Sequence, residues 1–281
     1  MKGRCKISIM PRAIITCLLL LVCASCAYGP PPEGLLRDPD VVSFPSSEAT
    51  LFGSKLLLTG RLTKPTGTGQ FPAVVLLHGC GGVQPKRDHR WAERLVSWGY
   101  VTLQVDSFNP RGISSVCTLG GKESAEMLAR RVTDAYDAQH YLAGLPFVNN
   151  KLIAVMGWSN GGATTLNVLY PKRDDPFHAA VAMYPSCRKS LANLNAPVLI
   201  LIGAKDDWTP AESCVAMMPS GKSNYEVALQ VYPDAYHAYD SIGKSREVMG
   251  SRGSHHLEHN PSAEQDSIIK VRDFLEKYLL R

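Results

Sequence analysis

Two periodicities alternate along most of this chain. Apolar, β-branched runs at residues 73–77, 100–106, 151–156, 179–184, 196–203 and 225–232 read as strands. Between them, apolar positions recur at helical spacing: Trp91, Leu95 and Val96; Leu128, Val132, Ala135 and Leu142; and, near the end, Ile268, Ile269, Val271, Phe274 and Leu275. These stripes predict helices, with Gly99 closing the first. Ahead of the alternation, residues 41–44 and 55–62 read as a hairpin-like pair, and turn residues at 64–69 lead out of it. Strands alternating with helices predict an α/β fold, a mostly parallel, doubly wound sheet with helices on both faces. No internal repeat and no second domain interrupts the pattern.

Charge changes the picture only at the beginning. The chain has 281 residues, 45% hydrophobic and 20% charged, enough for one large domain, and its formal net charge is +5. Lys2, Arg4, Lys6 and Arg12 supply four of the positive charges, and no acidic residue precedes Glu33. Without that segment 26 basic residues face 25 acidic ones, which excludes a nucleic-acid footprint. The basic start, the apolar run 13–22 and the small residues after it predict a signal peptide over residues 1–26. The run is far shorter than the ~20 residues a bilayer span needs. Cys23-Ala24-Ser25-Cys26 resembles a lipoprotein processing box with Cys26 as the lipidated residue, and ordinary cleavage near Ala24 or Ala27 is the alternative. A proline-rich linker then covers residues 27–40, and a catalytic domain is expected over 41–281. The expected location is the periplasm or cell envelope, with or without a lipid anchor.

Four cysteines follow the leader: Cys80, Cys117, Cys187 and Cys214. An even number in an exported chain suggests disulfides. The first two follow the third and fourth strands and the last two follow the sixth and seventh. The expected pairs are therefore Cys80–Cys117 and Cys187–Cys214, against the alternative of four separate buried thiols. No Cys-x-x-Cys spacing suggests zinc.

The chemistry concentrates at Gly157-Trp158-Ser159-Asn160-Gly161, which stands between a strand and a helix. A strand, a tight Gly-x-Ser-x-Gly turn and a helix make a nucleophile elbow, which lifts a serine hydroxyl above the sheet edge. A serine nucleophile needs a base, the base needs an orienting carboxylate, and the developing oxyanion needs donors. Asp206 or its neighbour Asp207 follows the 196–203 strand, and His237 follows the 225–232 strand. The candidates thus fall at the carboxyl ends of strands, where open α/β sheets build their sites. Upstream, the turn His78-Gly79-Cys80-Gly81-Gly82 can aim the Cys80 N–H at an oxyanion, and the Asn160 N–H is the second candidate donor.

These motifs, with Asp106-Ser107-Phe108-Asn109-Pro110-Arg111-Gly112 and Gly203-Ala204-Lys205-Asp206, resemble the dienelactone hydrolase family, a compact branch of the α/β-hydrolases, from about Val41 onward. The resemblance implies an α/β-hydrolase fold, Ser159 as nucleophile, Asp206 as orienting acid and His237 as base. Founding members use cysteine as nucleophile and carry a glutamate in the oxyanion-side turn. Here serine stands at the elbow and residues 78–82 hold no glutamate. The implied activity is therefore hydrolysis of small esters or lactones through an acyl-enzyme, with no cofactor. Peptidase or acyltransferase chemistry on the same triad, and a non-catalytic envelope scaffold, are the alternatives. Related hydrolases insert a lid after the sixth strand; residues 185–196 are too few for one. The cleft should be open, walled by residues 107–121 and 238–261.

Several side chains admit two readings. Arg111 could grip a substrate carboxylate or fix its loop by a salt bridge. Asp207 could cap a helix near Thr209, and Trp158 beside the nucleophile is expected to shape the pocket. His78 is expected to support the oxyanion-side turn, while His89, His140 and His178 read as structural. His255, His256 and His259 fall on a polar loop that is expected to be solvated rather than metal-binding. The oligomeric state is left open.

Overall fold

The computed structural model describes residues 40–49, 55–170 and 173–280. The signal peptide, Cys26 and nearly all of the linker lie outside the described residues.

The apolar runs become β1 (Asp40–Ala49), β2 (Lys55–Thr63), β3 (Phe71–Leu77), β4 (Val101–Asp106), β5 (Val148–Trp158), β6 (Ala180–Met183), β7 (Val198–Gly203) and β8 (Val227–Tyr232). They form one sheet in the order β1-β2-β4-β3-β5-β6-β7-β8. Pairing is antiparallel for β1 with β2 and for β2 with β4, and parallel from β4 across to β8. Every residue of β7, and all of β3 after Phe71, is buried. Side chains alternate faces along a strand, so burial at every position requires cover on both sides.

The cover comes from α1 (Pro85–Ser97), α2 (Gly121–Ala143), α3 (Asn160–Asn167), α4 (Ala211–Met217) and α5 (Pro261–Leu279). α1 and α5 are joined by the ion pair Arg90–Glu264 at 3.1 Å, and α2 and α3 by a hydrogen bond from Arg131 to Asn160. Trp91 of α1 and Leu275 of α5 are fully buried members of the core. α5 begins where Asn260 caps it by accepting the Ala263 N–H at 3.0 Å, with Pro261 in its first turn.

Residues 184–197 join β6 to β7 with no lid domain inserted between them, as expected. The polar stretch after His237 differs from expectation. Instead of a loop it contains a two-stranded antiparallel ribbon, β9 (Arg246–Gly250) and β10 (Gly253–Leu257). A bridge between His237 and Leu257 fastens that ribbon to the main body.

Both expected disulfides form, Cys80–Cys117 and Cys187–Cys214. The first joins the β3–α1 and β4–α2 connections, and the second joins the β6–β7 connection to α4.

Candidate active site

The elbow is forced by close backbone approach. A Cβ on Gly157 would lie 2.3 Å from the Gly161 carbonyl oxygen, and one on Gly161 would lie 2.0 Å from that of Leu77. Neither position admits a side chain, and Ser159 between them adopts φ 55°, ψ −114°. Such a conformation costs an L-residue ~1–3 kcal/mol and persists only where the surroundings over-determine it. The Ser159 N–H donates to Met183 O at 2.9 Å, which pins the turn to β6.

Three residues distant in sequence converge here. The Ser159 hydroxyl donates to His237 Nε2 at 2.9 Å, and His237 Nδ1–H donates to Asp206 Oδ2 at 2.7 Å. The Asp206 carboxylate is buried and oriented by its own turn: Oδ1 accepts the N–H groups of Trp208 at 3.0 Å and Thr209 at 2.7 Å. The Thr209 hydroxyl lies 2.8 Å from Oδ2. A carboxylate so fully engaged can hold only one imidazole tautomer, the one that leaves Nε2 free to take a proton.

Asp207 lies apart from this relay. It accepts the His256 N–H at 3.2 Å and stands 3.5 Å from His255 Nδ1, so it secures the ribbon. It does not cap α4, whose N-cap is Pro210 with no side-chain capping bond.

The oxyanion-side turn is braced from beneath. His78 is buried; its Nδ1–H donates to Gly79 O at 2.7 Å, and its Nε2 accepts the Ser107 N–H at 3.3 Å. Burial, helped by the cation of Arg131, pushes its pKa well below the usual histidine range and keeps the ring neutral. Arg131 donates to His78 O at 2.7 Å and to the Asn160 side-chain oxygen. Cys80, carrying one candidate oxyanion donor, borders the cleft on both sides of Ser159. Asn160 opens α3, so its N–H is among the donors a helix start leaves unused.

Two expectations are corrected. Arg111 does not face the cleft as a carboxylate grip. Its guanidinium is bidentate to Asp134, at 2.8 and 2.9 Å, and also binds Glu48 Oε2 at 2.5 Å and Ser107 O at 2.6 Å. Buried Asp134 demands a cation, and Arg111 is the one that bonds to it. Trp158 does not line the pocket either. It is fully buried, and its indole N–H donates downward to Asp240 Oδ2 at 3.0 Å. At the elbow the chain reverses, which sends Ser159 to the cleft and its predecessor into the core.

Residues not anticipated from sequence shape the cleft instead. The Tyr184 ring packs edge-on against His237 at 4.9 Å, and its hydroxyl donates to Asp240 at 2.7 Å. Trp208 packs against His237 at 5.1 Å and stacks on His255 at 4.7 Å, 10° from parallel. His255 is thus an aromatic support for the site. His256 lies between Glu247 and Glu258 at 2.9 and 3.0 Å, and His259 pairs with Glu264 at 2.6 Å. The only hint in sequence was that each aromatic sits just past a strand end.

The cleft has two arms that meet at Ser159, cavities of about 540 Å³ and about 840 Å³. Arg188, Lys189 and Arg252 line the first, and Lys86, Lys244 and Arg246 the second. Among the described residues lining either arm there is no aspartate or glutamate.

The model of the dienelactone hydrolase family matches residues 58–279. A Yersinia pestis protein described as a carboxymethylenebutenolidase is 27% identical over 191 residues, 62% of this chain and 70% of that one. A Grosmannia clavigera protein described as a dipeptidyl-aminopeptidase B is 27% identical over 182 residues, half of this chain but only 18% of that one. The crystal structure of a protein described as a dienelactone hydrolase from Klebsiella pneumoniae superposes with a TM-score of 0.67 at 20% identity, covering 85% of this chain and 98% of that one.

Proposed function

The chain belongs to the dienelactone hydrolase family, a family of hydrolases, and from that premise we propose that it is an exported serine hydrolase of small ester or lactone substrates. The observation that carries this reading is the Ser159–His237–Asp206 relay, 2.9 and 2.7 Å long, on a strained elbow at an open cleft. Ser159 Oγ attacks the substrate carbonyl while His237 Nε2 takes its proton. Asp206 holds the imidazole and balances its cation. The N–H groups of Cys80 and Asn160 receive the charge developing on the carbonyl oxygen; losing one such donor typically costs ~3 kcal/mol of barrier. His237 then protonates the leaving alkoxide, and water, deprotonated by the same histidine, releases the acid from the acyl-enzyme.

The lining favours substrates with an anionic group, because the arms carry cations and no carboxylate. Export is supported by the basic, then apolar N-terminal segment and by the two disulfides, which persist in oxidising compartments. Lipidation at Cys26 belongs to the same proposal, and the mass of the mature envelope protein tests it.

The direct test is turnover of p-nitrophenyl butyrate by the purified protein, which Ser159→Ala should abolish with the melting temperature retained. Unchanged turnover in the variant refutes the assignment. The similarity to a dipeptidyl-aminopeptidase B favours one second reading, peptide cleavage by the same serine. Aminoacyl p-nitroanilides hydrolysed faster than esters would select it.

A further inference from the structure

Two arginines among the described residues are buried, and they differ in one respect. Arg87 pairs with Asp88 at 2.7 Å. Arg131, 0% exposed, takes part in no ion pair. The nearby Asp134 is spent on Arg111, which holds both of its oxygens. The Arg131 guanidinium is held over the Phe108 ring at 5.1 Å, and its Nε has no hydrogen-bond partner. Desolvation is the main reason its pKa falls to about 10. A buried cation with no carboxylate in direct contact is expensive, so such a group calls for a function.

The two bonds it makes indicate that function. One goes to the carbonyl of His78, just upstream of Cys80; the other goes to the side chain of Asn160. Those are the two segments that carry the proposed oxyanion donors. The His78 carbonyl also abuts the elbow, since a Cβ on Gly161 would lie 2.5 Å from its oxygen. We infer that Arg131 is the positioning residue of the oxyanion site: it sets the spacing of the Cys80 and Asn160 peptides and lends a positive charge, touched by no carboxylate, behind the oxyanion. The inference rests on the serine-hydrolase reading above. The absence of a carboxylate in direct contact is then the useful feature, because a partner bonded to the guanidinium would weaken the field where the negative charge develops. A fixed cation in a water-poor interior stabilises that charge without reorganising during the reaction.

The test uses the rate at which a fluorophosphonate labels Ser159, together with p-nitrophenyl butyrate kinetics. In labelling, Ser159 Oγ bonds to phosphorus, fluoride leaves and His237 takes the proton, so the phosphoryl oxygen occupies the oxyanion site. Arg131→Gln should slow labelling and kcat by about 10²–10³ while KM stays within about threefold. Arg131→Lys, which keeps the charge but cannot bridge both acceptors, should recover at least about tenfold of that loss. Asn160→Asp should lower kcat by about tenfold with an unchanged or raised melting temperature, because the new carboxylate strengthens the clamp but neutralises the charge. A purely structural clamp predicts the opposite for kcat, and this variant carries the test if Arg131→Gln does not fold. Arg131→Gln at wild-type rates, Arg131→Lys no better than Arg131→Gln, or Asn160→Asp at full kcat would overturn the inference alone. Wild-type protein that neither labels at Ser159 nor hydrolyses the ester overturns the underlying functional reading.

Discussion

Asp240, fully buried, accepts the indole N–H of Trp158 at 3.0 Å, and so joins the residue before the nucleophile to the loop that carries His237. The same oxygen accepts the Trp91 indole of α1 at 2.8 Å, while the other accepts the Tyr184 hydroxyl. One carboxylate thus anchors the nucleophile turn, the histidine loop and a flanking helix. Asp240→Ala would leave two buried indole donors without acceptors, and should lower stability by ~3 kcal/mol. Asp240→Asn, whose oxygen can still face the indoles, should cost less. Urea unfolding of both variants measures this, and wild-type stability in the alanine variant would contradict the anchoring role.

Arg111 should matter to the fold and not to substrate choice. Arg111→Met strands the buried Asp134 carboxylate and should destabilise by ~3–5 kcal/mol. KM for neutral and carboxylate-bearing esters should change by the same factor. A selective rise for the carboxylate-bearing ester would restore Arg111 to the substrate.

The charge of the two arms should show in salt dependence. Their cations are exposed, so attraction of an anionic ester should fade as the screening length drops below ~10 Å above ~0.1 M salt. KM for a hemisuccinate ester should therefore rise severalfold with salt, whereas KM for a butyrate should hold. Parallel curves for the two would remove the case for anionic substrates.

The disulfides should contribute unequally to activity. Their loops, 37 and 27 residues in sequence separation, predict ~3–4 kcal/mol each from chain entropy. Cys80–Cys117 also holds the turn bearing a proposed oxyanion donor. Replacing both of its cysteines by serine should cut kcat more than the same change at Cys187 and Cys214. Equal loss of kcat in the two double variants would count against the Cys80 assignment.

His78 predicts an acid sensitivity of the fold. It stays neutral in the native state, but in the unfolded chain it takes a proton as pH falls through ~6.5. Its contribution to stability is therefore complete above that value, and declines below it by at most ~1.4 kcal/mol per pH unit. The melting temperature of His78→Gln should fall less steeply than wild type between pH 6.5 and 5. Superimposable slopes would mean that His78 is protonated in the folded protein.

Much of the fold was legible because its signals are local. Strand period and helix period depend on neighbours within a few residues, as does Gly157, which abuts the Gly161 carbonyl; Gly161 instead answers to the Leu77 carbonyl at the end of β3, and only the elbow pattern made it legible. The ribbon β9–β10 carries no strand signal in the sequence because its strands are short and polar, so no apolar alternation marks them. Trp158 was misplaced for a related reason. Adjacency to the nucleophile in sequence says nothing of which way a side chain points once the chain reverses.

By itself the sequence determined the order of elements, the position of the serine turn and the strand ends at which a carboxylate and a histidine would stand. Only the tertiary structure decided who binds whom: Arg111 to Asp134, Asp207 to the ribbon, Asp240 to both indoles, and Arg131 to two carbonyl oxygens with no carboxylate in contact. Backbone conformation is chosen by covalently near atoms, whereas the partner of a buried charge is whichever group the packed chain brings within about 3 Å, often many tens of residues away.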